Sequence, residues 1–186
     1  MTGRTNSGLT TIEILIVMTV VSIIALAAVP VAEISYVKTQ EDALRYNLQL
    51  IRTAIIRWKQ DCRSALIRQS GVDSYFIPDS KLYPESLMQL VNPPQMITIT
   101  WQDYYGNDIF ADFYPRQYLQ TLPQDPFIGR PYWDIHYASG SQIGLFDGQE
   151  NHPADHAGIF DVSPHPDSST RRGFVRAIDG TLYKDW

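Results

Sequence analysis

The sequence predicts an α+β protein in which one long N-terminal helix packs on a small antiparallel β-sheet head. Three observations predict it. Residues 14–32 run for 19 positions without a charge. Apolar residues from Val37 to Leu66 then recur at helical spacing. From about residue 72 the chain turns Pro-, Gly- and Tyr-rich and breaks into short β-like runs.

The apolar stretch comes first. Nineteen residues make about 28 Å of helix, the thickness of a bilayer's hydrocarbon core, so the first half of the helix is expected to be transmembrane. Glu13 stands at the start of this run. A charge there costs on the order of 2.5–3.5 kcal/mol at mid-bilayer and less near the interface, so it needs a partner or a function. A secretory signal carries its small-residue cut site after the apolar region. Here Ser7-Gly8 precedes it, although Ala27-Ala28-Val29 imitates a signal-peptidase site and keeps that reading open. Cutting after Gly8 would free an amine on Leu9, four residues before Glu13. In a stack of staggered helices, Glu13 of one chain can meet the Leu9 amine of the next, and each neutralises the other in a low dielectric.

The helix continues beyond the span. Val37, Leu44, Leu48, Ile51, Ile55, Trp58, Cys62 and Leu66 fall on one face, which reads as a core stripe. Lys38, Glu41, Arg45, Gln49, Arg52, Lys59 and Arg63 fall on the other, with Glu41 and Arg45 oriented for an i,i+4 pair. Pro30 removes one backbone bond and can kink the helix. Gln69-Ser70-Gly71 is a C-cap signal, so residues 9 to about 68 form one helix of about 90 Å.

The head follows. Lys81–Val91 reads as a short helix with Pro84 near its first turn, ended by Asn92-Pro93-Pro94. Met96–Trp101, Tyr132–Ala138, Ile143–Phe146, Gly158–Val162 and Phe174–Ile178 read as strands. Residues 102–120 are rich in aromatics without a clean period and read as an irregular insertion covering the sheet. The organisation is therefore a leader at 1–8, a spanning half-helix at 9–32, an amphipathic half at 33–70, and a globular head at 71–186.

Composition narrows the function. The net charge is −5, and because Arg4 lies in the leader the mature part carries −6, which offers no electrostatic footprint for nucleic acid. The single Cys62 cannot form an intrachain disulfide and, lying on the apolar stripe, reads as a small buried side chain. His152 and His156 form an i,i+4 pair with His165 and Asp167 nearby. The Glu of a zinc HExxH helix is missing and prolines interrupt the segment, so these read as exposed loop histidines. Asp103, Asp108 and Asp112 read as turn and cap residues. No Ser/His/Asp or Cys/His constellation emerges, and the chain reads as a structural protein rather than an enzyme.

At Gly8-Leu9-Thr10-Thr11-Ile12-Glu13 the chain resembles the type IV pilin and type II secretion pseudopilin superfamily, with Leu9 and Thr11 departing from the usual Phe or Met and Leu. The head strengthens the resemblance to the major (G-type) pseudopilin. Tyr83-Pro84-Glu85-Ser86-Leu87, Leu122-Pro123-Gln124-Asp125-Pro126-Phe127 with Pro131-Tyr132, Gly158–Val162 and Asp179–Trp186 resemble that family's segments in order. Phe127 stands where the family has Trp, roughly 30 residues around 92–121 are extra, and 147–172 is rewritten.

The resemblance implies a pilin-like fold, cleavage after Gly8 by prepilin peptidase, N-methylation of Leu9, Glu13 as the assembly-register residue and a bend or local melting at Pro30. It implies a single-pass inner-membrane protein, N-terminus cytoplasmic and head periplasmic. The charges themselves, Arg4 on one side against Lys38 and Arg45 on the other, support that orientation only weakly. Implied partners are the lipid bilayer, copies of itself in a helical filament, other pseudopilins and an inner-membrane assembly platform. The family's C-terminal loop binds calcium, which takes six to eight oxygens. Asp161, Ser163, Asp167 and Asp179 are the leading candidates here, with Asp147, Glu150, Asn151, Asp155 and Ser168 as further oxygens. No EF-hand spacing is present, however, and the residues themselves read rather as a solvated acidic loop. The expected function is that of a structural subunit of a type II secretion pseudopilus that drives protein export. A type IV pilus subunit, or a membrane-tethered periplasmic binding or enzymatic domain, are the alternatives.

Overall fold

The computed structural model describes residues 10–71, 77–139, 143–148, 157–165, 177–183 and 186. The chain divides into two compact units, residues 1–39 and 40–186. Helix α1 spans Thr11–Ser70, and the rest of the secondary structure belongs to the second unit.

Local chemistry sets both ends of α1. Its first turn opens on Thr10, whose carbonyl accepts from the N–H groups of Glu13 (3.1 Å) and Ile14 (3.2 Å). The Thr10 hydroxyl faces the Glu13 N–H at 3.4 Å. Thr10 and Glu13 thus stand at the spacing of a capping box, in which a carboxylate also opposes the positive end of the helix dipole. At the other end Gly71 takes φ +64°, open to glycine at little cost, and its N–H closes on the Ile67 carbonyl at 3.0 Å. The helix runs unbroken through Pro30.

In the first unit the large apolar side chains of α1, among them Ile12, Leu15, Met18, Ile23, Leu26 and Val31, are exposed. Its polar side chains turn inward on the helix itself: the Thr19 and Ser22 hydroxyls donate to the carbonyls of Leu15 and Met18, each at 2.7 Å. Back-bonding of this kind satisfies these two hydroxyls within an apolar surface.

The second unit has one hydrophobic core. Of the eight residues of the expected stripe, Val37 lies in the first unit and is half-buried, while the other seven, Leu44, Leu48, Ile51, Ile55, Trp58, Cys62 and Leu66, are buried in this core. Facing them are two antiparallel sheets. β1 (Ile97–Gln102) pairs with β2 (Asp108–Phe113), with Ile97 opposite Phe113 and Trp101 opposite Ile109. The second sheet has the order β4-β3-β5, formed by β3 (Trp133–Tyr137), β4 (Ile143–Phe146) and β5 (Ile159–Pro164). Trp133, Ile135 and Tyr137 alternate inward along β3, as a strand with one buried face requires. The α+β class is therefore as the sequence predicted, with two small sheets in place of one.

Three expectations change. The Lys81–Val91 helix is instead two 3₁₀ turns, Asp79–Lys81 and Leu87–Leu90. Between them the Pro84 carbonyl accepts from the Ile159 N–H at 2.7 Å, and Ser86 is extended so that its side chain caps Met88, which leaves no continuous helical ladder. Part of the irregular insertion at 102–120 is a strand, β2, paired residue by residue with β1. Of the Phe174–Ile178 strand, residues 174–176 lie outside the described residues. Ala177 and Ile178 enter a turn closed by the Gly180 N–H on the Ala177 carbonyl at 2.9 Å.

Candidate functional site

The N-terminal half of α1 is the candidate site. Its apolar residues form the one helix among the described residues long and apolar enough to cross a membrane, with none of that window buried in the chain. Glu13 lies in its first turn and is exposed. Gly8 and Leu9 lie outside the described residues, so the amine that would meet Glu13 is not placed. The chain thus presents an apolar cylinder with a single carboxylate at its start.

The second unit holds its part of α1 through a ladder of cations that the sequence had put on the face opposite the apolar stripe. Arg45 pairs with Asp179, Arg52 Nε with Asp161 at 2.7 Å, and Lys59 Nζ with Asp79 at 2.9 Å. Arg63 adds a second bond to Asp79 at 3.3 Å. Arg52 also donates to main-chain oxygens of Val162 and Trp186, at 2.9 and 2.6 Å. Partial burial works against the Lys59 charge, but hydrogen bonds from its ammonium to Tyr83 and Asp79 outweigh that and raise its pKa.

Glu41 overturns the expected Glu41–Arg45 pair. It is 5 % exposed, and its Oε1 accepts from the Tyr183 hydroxyl at 2.7 Å and the Ile178 N–H at 2.9 Å. Arg45 goes to Asp179 and stacks on the Trp186 ring at 4.0 Å. A sequence signal for this existed: the apolar stripe jumps seven residues from Val37 to Leu44, and Glu41 fills the gap in period.

Of the leading calcium candidates, Asp167 lies outside the described residues, and Asp161, Ser163 and Asp179 are each engaged by other groups. Asp161 serves Arg52, while Asp179 serves Arg45 and the Thr181 N–H and hydroxyl. The Ser163 hydroxyl lies 2.8 Å from His136 Nε2. A calcium ion drawing on these carboxylates would have to displace two arginines. Asp147 is described, whereas Glu150, Asn151, Asp155, Asp167 and Ser168 lie outside the described residues, as do His152 and His156. Among the described residues, no three His, Cys, Asp or Glu side chains gather as a metal site would need.

His165 is not an exposed loop histidine. It is half-buried, with Nδ1 at 2.6 Å from Asp134 and its ring against Tyr132. Asp134 therefore serves a different histidine from the one that meets Ser163. Asp103 is a turn residue as expected: Oδ1 accepts from the N–H groups of Tyr105 and Asn107, both at 2.8 Å. Asp108 and Asp112 instead sit on β2 and accept from Gln102 and Thr98 across the hairpin. Cys62 is fully buried, and desolvation pushes its thiol up to about 12.

The 122–127 segment that carried part of the resemblance is a structural joint. Asp125, fully buried, accepts from the Phe127 N–H at 2.9 Å, the Pro123 carbonyl takes the Trp133 indole at 3.0 Å, and the Gln124 carbonyl takes Asn47 at 2.8 Å. A long apolar N-terminal helix joined to small antiparallel sheets is compatible with a pilin-like architecture. In comparisons with known proteins, no family model, curated protein or solved structure matches the chain.

Proposed function

We propose that this chain is a structural subunit of a type II secretion pseudopilus, anchored in the inner membrane before assembly and packed by its N-terminal helix afterwards. The observation that carries the reading is the exposed apolar half of α1 with one carboxylate, Glu13, in its first turn. An apolar surface of this size needs lipid or other helices to cover it.

In the assembly, prepilin peptidase cuts after Gly8 and frees the Leu9 amine, which becomes N-methylated. Glu13 of one subunit meets that amine in the next, fixing the register. Moving the helix from lipid to a helical core brings little hydrophobic gain, because neighbouring helices are as apolar as lipid tails. Extraction therefore draws on work from the assembly platform, with charge neutralisation at Glu13 favouring docking.

Intact mass and N-terminal sequence, with and without active prepilin peptidase, test the processing step. Loss of residues 1–8 with one added methyl supports the reading; an intact chain, or one cut near Ala28, overturns it. Register is tested by Glu13→Gln beside Glu13→Ala. Either Glu or Gln suits the third position of a capping box, so Gln preserves the helix start and removes the charge. Both variants should insert in the membrane and fail to assemble. Normal assembly of Glu13→Gln would sink the register argument.

A further inference from the structure

The tip of the β1–β2 hairpin is aromatic and acidic, and its turn is held by hydrogen bonds. Tyr104 and Tyr105 are 83 % and 85 % exposed, with their rings edge to face at 5.6 Å. Phe110 stands on the outer face of β2. Asp103 fixes the turn through its bonds to Tyr105 and Asn107, and Gly106 takes φ +82° within it. From Ile97 to Pro115 the sequence holds Asp103, Asp108 and Asp112 and no Lys or Arg. Exposed tyrosines on a pre-formed turn give contact area with little ordering cost on binding.

A groove of complementary character lies on the flank of α1. Tyr46, Leu50, Thr53 and Arg57 line one side, and Tyr118 and Leu119 the other, around a volume of about 220 Å³. The far wall is fixed: the N–H groups of Tyr118 and Leu119 both reach the Leu90 carbonyl at 3.0 Å, and the Tyr118 hydroxyl reaches Asp61 at 2.9 Å. Arg57 is exposed, and no carboxylate among the described residues pairs with it. The groove thus offers apolar walls for a ring and an uncommitted cation at its rim.

We propose that the hairpin tip of one copy seats in this α1 groove of a second copy, with Tyr105 between Leu50 and Leu119 and Arg57 facing Asp103 and Asp108. The occupant is argued from charge. An acidic tip is repelled by an anionic lipid surface, whereas the chain's own groove carries the missing cation. Tip and groove are different patches, so each copy offers one of each and the contact can pass from copy to copy along a filament. The inference rests on the filament reading and supplies it with a lateral contact outside the helical core.

Full-length chains carrying Tyr105→Cys or Thr53→Cys test it, since the native Cys62 is buried and stays silent. Mixed in membranes and oxidised, the two should form a disulfide that neither forms alone. Arg57→Asp and Asp108→Arg should each lower the cross-link about two- to fivefold, the range of an exposed ion pair, and the double variant should restore it. Tyr105→Cys chains that cross-link equally well to themselves overturn the proposal. So does a Tyr105→Cys thiol that lipid vesicles alone protect from labelling. Assemblies that depend on Glu13 but give no mixed disulfide overturn the docking and leave the filament reading standing. A chain that forms no assemblies overturns both.

Discussion

Gly158 has no room for a side chain. A Cβ there would lie 2.6 Å from the Tyr83 Cβ and 2.7 Å from its carbonyl oxygen. Two backbones meet at this point, and the Ala138 N–H reaches the Gly158 carbonyl at 2.8 Å. Gly158→Ala should cost about 1–3 kcal/mol, as overpacking does, read as a lower denaturation midpoint with an unchanged slope. Asp179 makes a pH prediction. The Thr181 hydroxyl and N–H, then Arg45, lower its carboxyl from the usual 3.8 to about 2. The folded state therefore binds fewer protons between those values. Its stabilisation is fully present above about pH 4 and is lost as pH falls toward about 2. The gap in melting temperature between wild type and Asp179→Asn should close over that interval; a gap independent of pH would contradict it. Charged residues were the least legible in the sequence. Glu41 and Arg45 looked like a surface pair because charge suggests solvent, while the tertiary partners Tyr183 and Asp179 lie more than 130 residues away.

Elements were legible where one period ruled. The α1 stripe is buried as spaced from Leu44 onward, because a helix packing on a single core must repeat its apolar face every three or four residues. Trp58 is its largest member, with its ring 5.3 Å from Phe113 and 5.6 Å from Tyr118. Trp58→Ala should cost about 3–5 kcal/mol in chemical denaturation. Cys62, on the same stripe, should resist alkylation at about pH 8 until the protein unfolds, because the thiolate is the reactive form and burial suppresses it. β2 was hidden because Phe110 faces outward between the inward Ile109 and Ala111, so apolar residues fill both faces and erase the alternation. The Lys81–Val91 segment misled for another reason. Its apolar spacing fits a helix, but the Pro84 carbonyl is taken by β5, a bond no local pattern announces.

For the whole molecule, the split at residue 39 separates two kinds of surface. Among the described residues, one unit presents an exposed apolar helix and the other carries its own core. The full chain should stay with membranes through an alkaline carbonate wash, and a chain starting at residue 35 should be released by it. Release of the full chain would count against the anchor. The candidate site was legible as a pattern, the charge-free run and its single carboxylate, because a bilayer imposes a length that a sequence can display. The hairpin tip was not, since its chemistry depends on which aromatics the fold leaves outside.

Arg45, Arg52 and Lys59 are spaced seven residues apart, so their ties to Asp179, Asp161 and Asp79 lie about 10 Å apart along α1. Each tie contributes little at equilibrium, as exposed ion pairs do. Their arrangement matters under force. A pull along the helix axis loads all three side by side, and they must give way together. A pull that peels the sheets from one end breaks them singly. The joint between helix and sheets is thus stiffer in shear than in peel, an anisotropy that the proposed filament subunit would use when loaded along its axis.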